Sequence, residues 1–330
     1  GQVVALTGET GTGAPHLHLE VRDAAQRPLN PGDFLETPDR VAPEVLALRL
    51  LPTDRAAPFV LELDPGASVA ARGEWVVEVL AIDRTGFAPF PVAPRAVSLY
   101  VDGTLHYRLS HDAVAFDEAG QMRLDQTRDD RGRWYRMERR EGSTLPGRTG
   151  AGGRIGVQDR PVELFVVVED SGGRRAEARF DLRPEAISRP VVEPSLSVTE
   201  HLLVAELPGR SEMPPLLEGP DQHHLLDEVE GGWRVALPHA GLPDGNWRLL
   251  HRAELVRELE VRFAAGGFEG FGSGAGPALG AVTEGSVYPA GAIVLERVEP
   301  PAAEGLRAVG KAIEVRSSGL VPRQELSWEV

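Results

Sequence analysis

At 330 residues with 42% hydrophobic side chains, the chain is long enough for two or three globular domains. A net charge of −15 argues against nucleic acid or an anionic surface as a simple electrostatic partner, and the absence of cysteine excludes disulfides and thiolate metal sites. Aromatics reach only 6% while 37 glycines and 27 prolines favour turns over long helices, and no apolar run has the length of a transmembrane span.

The first elements are a short apolar run, Gly1-Gln2-Val3-Val4-Ala5-Leu6, a Gly/Thr turn, and Ala14-Pro15-His16-Leu17-His18-Leu19-Glu20-Val21-Arg22. In an extended strand, positions i and i+2 share a face, so His16 and His18 stand side by side with Glu20 next along. Two imidazoles on a rigid strand suit metal binding by one ring and acid–base work by the other; a plain surface pair is the alternative. The glycine spacing from Gly8 to Gly13 imitates a phosphate loop, but Ala14-Pro15 stands where Lys-Ser/Thr is needed. Leu29-Asn30-Pro31 and Phe34-Leu35 close the region.

In that order, these motifs resemble the C-terminal end of the lysostaphin/LytM-type zinc endopeptidases, which cut peptide cross-links of bacterial cell walls. That family carries a GQ-x-[IV] strand, a TG-x-PHLHFE strand and a closing NP-x-x-[FL]-L; Leu19 replaces its usual Phe. The resemblance implies that His18 is a zinc ligand and His16 the catalytic histidine beside the metal-bound water. Glu20 and Arg22 are read as structural. The family's remaining ligands lie in an upstream His-x-x-x-Asp motif, so the expectation is a fragment whose zinc site is incomplete and which is inactive alone. Residues 1–38 are therefore read as the remnant of a peptidase sheet.

Thr37-Pro38-Asp39 to Ala42-Pro43 reads as a linker. Strand signals follow at Val45–Leu51, Phe59–Leu63 and Trp75–Ile82, the last ending in Asp83-Arg84-Thr85-Gly86. Val97–Val101 and Thr104–Leu109 flank Asp102-Gly103, the clearest hairpin signal in the chain. Val162–Val168 and Arg175–Leu182 flank Glu169-Asp170-Ser171-Gly172-Gly173, a second hairpin. Many short strands and no amphipathic helix predict a β-sandwich over 43–187, and this stretch loosely resembles the immunoglobulin-like domain that often follows the peptidase. The polar stretch near 117–153 reads as a solvated insertion, with a wall-binding loop that uses Trp134 and Tyr135, or a calcium site at Asp125, Asp129 and Asp130, as functional alternatives.

From Arg189, the runs Leu196–Leu207, Trp233–Leu237, Trp247–Leu250 and Leu255–Phe263 predict a second β-sandwich over 188–265. Gly266–Gly280 reads as a glycine-rich linker or mobile loop, and 281–330 as the start of a further, truncated β-module. His223 and Asp227 have the spacing of the missing ligands but lie downstream in the wrong context, so a chance pair on an exposed strand is preferred. His106, His111 and Asp112 are read as surface residues.

The fold expectation is thus all-β: a truncated peptidase sheet followed by two or more immunoglobulin-like modules. The resemblance implies a zinc metalloendopeptidase of peptidoglycan peptide in the cell envelope, periplasmic or extracellular. A non-catalytic regulator of wall hydrolases, or an envelope adhesion or scaffold protein with a protein partner on its sandwiches, stays open.

Overall fold

The computed structural model describes residues 20–34, 39–86, 91–115 and 118–263, and the strands Phe268–Gly272, Ala278–Val282, Ala292–Val298 and Ala312–Ser318. Among these the chain is all-β, with several largely antiparallel sheets and a single four-residue α-helix, Met122–Asp125.

The first unit is built from two six-stranded sheets around one apolar core. The strand Gly73–Ile82 organises the first sheet. Glu44–Pro52 pairs along one of its edges, while Arg133–Arg136 and Ile155–Val157 share the other. Trp75, Val77, Val79 and Ala81 face the core, and Val76, Leu80 and Ile82 on the opposite face are buried as well. Alternation is lost here because both faces are covered. The second sheet shows the half-buried pattern. In Arg175–Arg183, Ala178, Phe180 and Leu182 point inward while Arg175, Glu177, Arg179 and Asp181 face solvent. Each fully buried Leu, Val or Phe contributes about 1.5–3 kcal/mol.

The predicted strands flanking Asp102-Gly103 form Ala96–Val101 and Thr104–Ser110. Asp102 and Gly103 both adopt positive φ (49° and 77°), as a tight two-residue hairpin turn demands.

Residues 117–153 are not a solvated insertion. After Gln126–Arg128 and Arg133–Arg136 in the first sheet, the chain crosses to pair Arg148–Thr149 with Thr104–Ser110 in the second, then returns as Ile155–Val157. Leu124, Trp134, Tyr135, Met137 and Leu145 are buried along the way. The polar composition misleads because its charges are paired internally: Asp125 and Arg148 are both buried and ion-paired. Gly150 permits the crossing, since a Cβ there would lie 2.5 Å from the His106 carbonyl oxygen.

The second unit joins a four-stranded and a six-stranded sheet over a core that includes Leu203, Ala205, Trp233, Trp247, Leu249 and Val261. The run expected as one strand, Leu196–Leu207, is a hairpin of Ser195–Val198 and Leu202–Pro208. Thr199 makes its turn, its Oγ1 accepting from the Leu202 amide at 3.1 Å. The segment expected to open a further module instead extends this unit. Ala292–Val298 pairs with Glu254–Phe263, Ala312–Ser318 pairs in turn with Ala292–Val298, and Ala292 and Val294 enter the core. Within the glycine-rich stretch, Phe268–Gly272 pairs with Ala278–Val282.

Candidate functional site

His16 and His18, with Leu17, Leu19 and the Gly8–Gly13 turn, lie outside the described residues. The segment that follows them is ordered by local chemistry. Val21–Arg22 pairs antiparallel with Pro28–Leu29, and Asp23 closes the turn by accepting from the Ala25 and Arg27 amides at 2.9 Å. Glu20 accepts from Arg22 Nε at 2.8 Å. Asn30 then caps the 3-10 turn Pro31–Asp33, its Oδ1 accepting from the Gly32 amide at 2.9 Å.

The same Asn30 docks this segment on the first unit. Its backbone amide donates to the Asp112 carbonyl (3.1 Å) and its Nδ2 donates to Ser171 Oγ (3.1 Å). Arg95 bridges Asp112 (2.7 Å) and Asp33 (2.8 Å) beneath it. These partners are far apart in sequence, so the Asn30-Pro31 motif discloses the turn but not what the turn rests upon.

A second constellation lies nearby. Asp39 precedes the strand Glu44–Pro52, Asp83 follows Gly73–Ile82, and Asp170 opens the turn after Val162–Glu169. All three are buried, and each offers a carboxylate oxygen within 4.8 Å of the others. Arg174 supplies the partial counter-charge. Its backbone amide (2.8 Å) and Nη1 (3.0 Å) donate to Asp170, and its guanidinium also donates to the Asp39 carbonyl. Asp39 Oδ1 accepts from the Val41 amide at 3.0 Å. Asp83 Oδ1 is buried without a hydrogen-bond partner. Burial, then the negative charges of Asp39 and Asp170, push the Asp83 carboxyl up to about 6. Asp83 and Asp170 read from the sequence as turn residues, and Asp39 as linker; the one available signal was an aspartate at each strand end.

A third group joins the two units. Arg136 is buried and donates to Glu138 (2.6 Å) and to Glu200, with Glu78 3.5 Å away; Arg140 also pairs with Glu200. Glu138, Glu200 and His201 bring ligand-type atoms within 4.8 Å. Two guanidiniums already engage Glu200, so a cation entering here meets two like charges, and the group reads as a structural joint. Burial draws the His201 imidazole below its ordinary range.

The remaining sequence candidates separate. Exposed His223 lies on His223–Leu225 and exposed Asp227 on Asp227–Val229; buried Leu226 intervenes and the two strands belong to different sheets. They share no strand face. His106, His111 and Asp112 are half-buried, not surface residues. His106 contacts the Gly153 carbonyl at 3.2 Å, His111 packs near Tyr135, and Asp112 accepts from Arg95. Asp125 is held by Arg148 while Asp129 accepts from Trp134 Nε1 (2.8 Å) and the Arg131 side chain, so no shared calcium site forms with Asp130. Trp134 and Tyr135 are each no more than 1% exposed, which removes them as a sugar-stacking platform. No helix among the described residues is long and apolar enough to cross a membrane. Neither a protein-family model nor a curated protein sequence matches the chain.

Proposed function

We propose that this chain carries the closing part of a zinc endopeptidase directed at cell-wall peptide, in the cell envelope, with two immunoglobulin-like units that position or tether it. One observation carries the reading: the run TGTGAPHLHLEVR with Gly1-Gln2 before it and Asn30-Pro31 after it, in the order of the lysostaphin/LytM-type enzymes. His18 would hold the zinc and His16 would manage the proton of the attacking water. When bound, zinc polarises a carbonyl and lowers the pKa of its water to about 7. This sequence holds no His-x-x-x-Asp ahead of the pair to complete the ligand set.

The Asn30 anchorage supports the positioning role. It ties the segment that follows the histidines in sequence to the Asp112 and Ser171 loops of the first unit. The competing reading is an envelope scaffold or non-catalytic regulator that uses the β units to hold a protein partner. Its support is that the described residues are almost wholly these two units.

The test expresses the protein from its complete gene and measures zinc content and release of wall peptide. The expectation is bound zinc and cleavage, both lost in His18→Ala, with zinc retained and cleavage lost in His16→Ala. Wild-type activity in His18→Ala removes the assignment. Zinc-free, inactive wild type that still binds wall or an envelope protein favours the scaffold.

A further inference from the structure

We propose that Asp39, Asp83 and Asp170 form a binding site for a hard divalent cation, calcium in the first instance, which fastens the segment entering the first unit to the distant hairpin Val162–Arg183. The proposal is independent of the zinc reading and uses none of its residues.

Charge makes the first argument. Three buried carboxylates face one partly exposed guanidinium, Arg174, which leaves two negative charges unbalanced on buried groups. An uncompensated buried charge is among the costliest arrangements in a protein, and a divalent cation restores neutrality. Donor type makes the second. All three side chains offer oxygen, with neither imidazole nor thiolate within the group, a set suited to calcium, magnesium or manganese rather than zinc.

Geometry makes the third. Calcium–oxygen distances are about 2.3–2.6 Å, so ligands on opposite sides of the ion stand roughly 5 Å apart. The three carboxylate oxygens lie within 4.8 Å of one another, no wider apart than such a pair of ligands. Hydrogen bonding makes the fourth and independent argument. The Asp39 and Asp170 oxygens are already steered by the Val41 and Arg174 amides, while Asp83 Oδ1, on a residue only 3% exposed, has no donor at all. A buried carboxylate oxygen with no donor calls for a ligand that accepts its lone pair.

The alternative is a proton shared between the carboxylates, with no ion. The two separate in a titration of chelator-stripped protein with calcium chloride, and with magnesium and manganese chlorides as further arms, at pH 7.5. Calorimetric binding and thermal denaturation are measured together. The expected result is saturable calcium binding with a rise in Tm. Calcium would also slow hydrogen exchange at the Val41 and Arg174 amides, which flank the site. Asp83→Asn is expected to weaken calcium binding about tenfold or more, since carboxylate count sets affinity, while its metal-free Tm is at least that of wild type. Asp39→Asn serves as the second variant and loses affinity in the same way. Absence of binding and of any Tm rise with all three cations overturns the proposal in favour of the shared proton. Binding that leaves those amides unprotected, or that persists unchanged in either variant, overturns it by placing the ion elsewhere.

Discussion

The strand Gly73–Ile82 of the first unit is buried along nearly its full length and has partners on both edges. Its counterpart in the second unit, Glu254–Phe263, is buried only at Leu259, Val261 and Phe263, and its first half stands in solvent. Both units close two sheets over an apolar core and each has strands buried on both faces, but in the second unit these are Leu202–Pro208 and Gly232–Pro238, with Leu202, Val204 and Ala236 packed behind the core, and not Glu254–Phe263. On Gly73–Ile82 the outer face is covered by side chains of the flanking strands, Leu80 packing with Ala47 and Trp134. Charge lies on that face too: Arg136 and Arg49, on the two flanking strands, both meet Glu78, and the Arg49 guanidinium lies over Trp134 at 4.2 Å. A sheet can bury both faces when its outer charges are answered pair by pair.

The sharpest break of this comparison is a matched pair of core truncations. Trp75→Ala and Trp247→Ala each remove a fully buried indole, one per unit, and each is expected to cost about 3–5 kcal/mol. Scanning calorimetry should show Trp75→Ala lowering the first unit's transition and Trp247→Ala the second's. Equal loss of both transitions in either variant means that the units unfold as one, and the contrast drawn between them fails.

Acid should act on the second unit in particular. His239 packs on Phe263 at 4.9 Å between ring centres, with its Nε2 buried and unpartnered. Burial holds it down at about 4, helped by His201 and opposed by Glu200 and by a hydrogen bond with the Leu202 backbone. The unfolded chain, near 6.5, therefore binds the proton first. Stability is greatest above about pH 6.5 and falls as pH drops towards 4, by up to about 3 kcal/mol for this group. Denaturant midpoints of the second unit measured across that window, for wild type and His239→Leu, check the sign. An unchanged slope in the variant excludes His239 as the cause.

The smallest effect sharpens a contrast between hairpins. Asp102-Gly103 in the first unit has a residue suited to positive φ at each turn position, but the second unit turns on Arg252 and Ala253, at φ 55° and 65°. Ala253→Gly should relieve left-handed strain and, after the entropy lost by glycine, raise stability by about 0.5–1 kcal/mol. A lower denaturation midpoint for this variant would mean that the turn is not strained.

Local signals carried much of the architecture. The Asp-Gly step at 102–103 and the hairpin of Val162–Val168 with Arg175–Leu182 around Glu169–Gly173 depend on neighbours in sequence, and both pairings form. The break at Thr199-Glu200-His201 was not legible, because two apolar runs close around a turn with neither glycine nor proline. The role of 117–153 was hidden for a different reason: Asp125 Oδ2 pairs with Arg148 and Arg136 pairs with Glu200, partners that sequence order does not bring together. The three-aspartate group is the extreme case, its members coming from a presumed linker and two strand ends. The histidine pair drew its meaning from motif resemblance; strand periodicity alone placed the rings side by side and went no further.

The double crossing of residues 126–157 bears on how the first unit comes into being. The strand Arg133–Arg136 and its later neighbour Ile155–Val157 sit on one edge of Gly73–Ile82, and the chain between them adds the edge strand Arg148–Thr149 to the facing sheet. Neither layer can finish assembling before the other has received its visiting strand. Contacts so remote along the chain put the entropy of closing large loops ahead of the reward, which slows the search. Maturation of this unit should thus be slow, with both layers completed together.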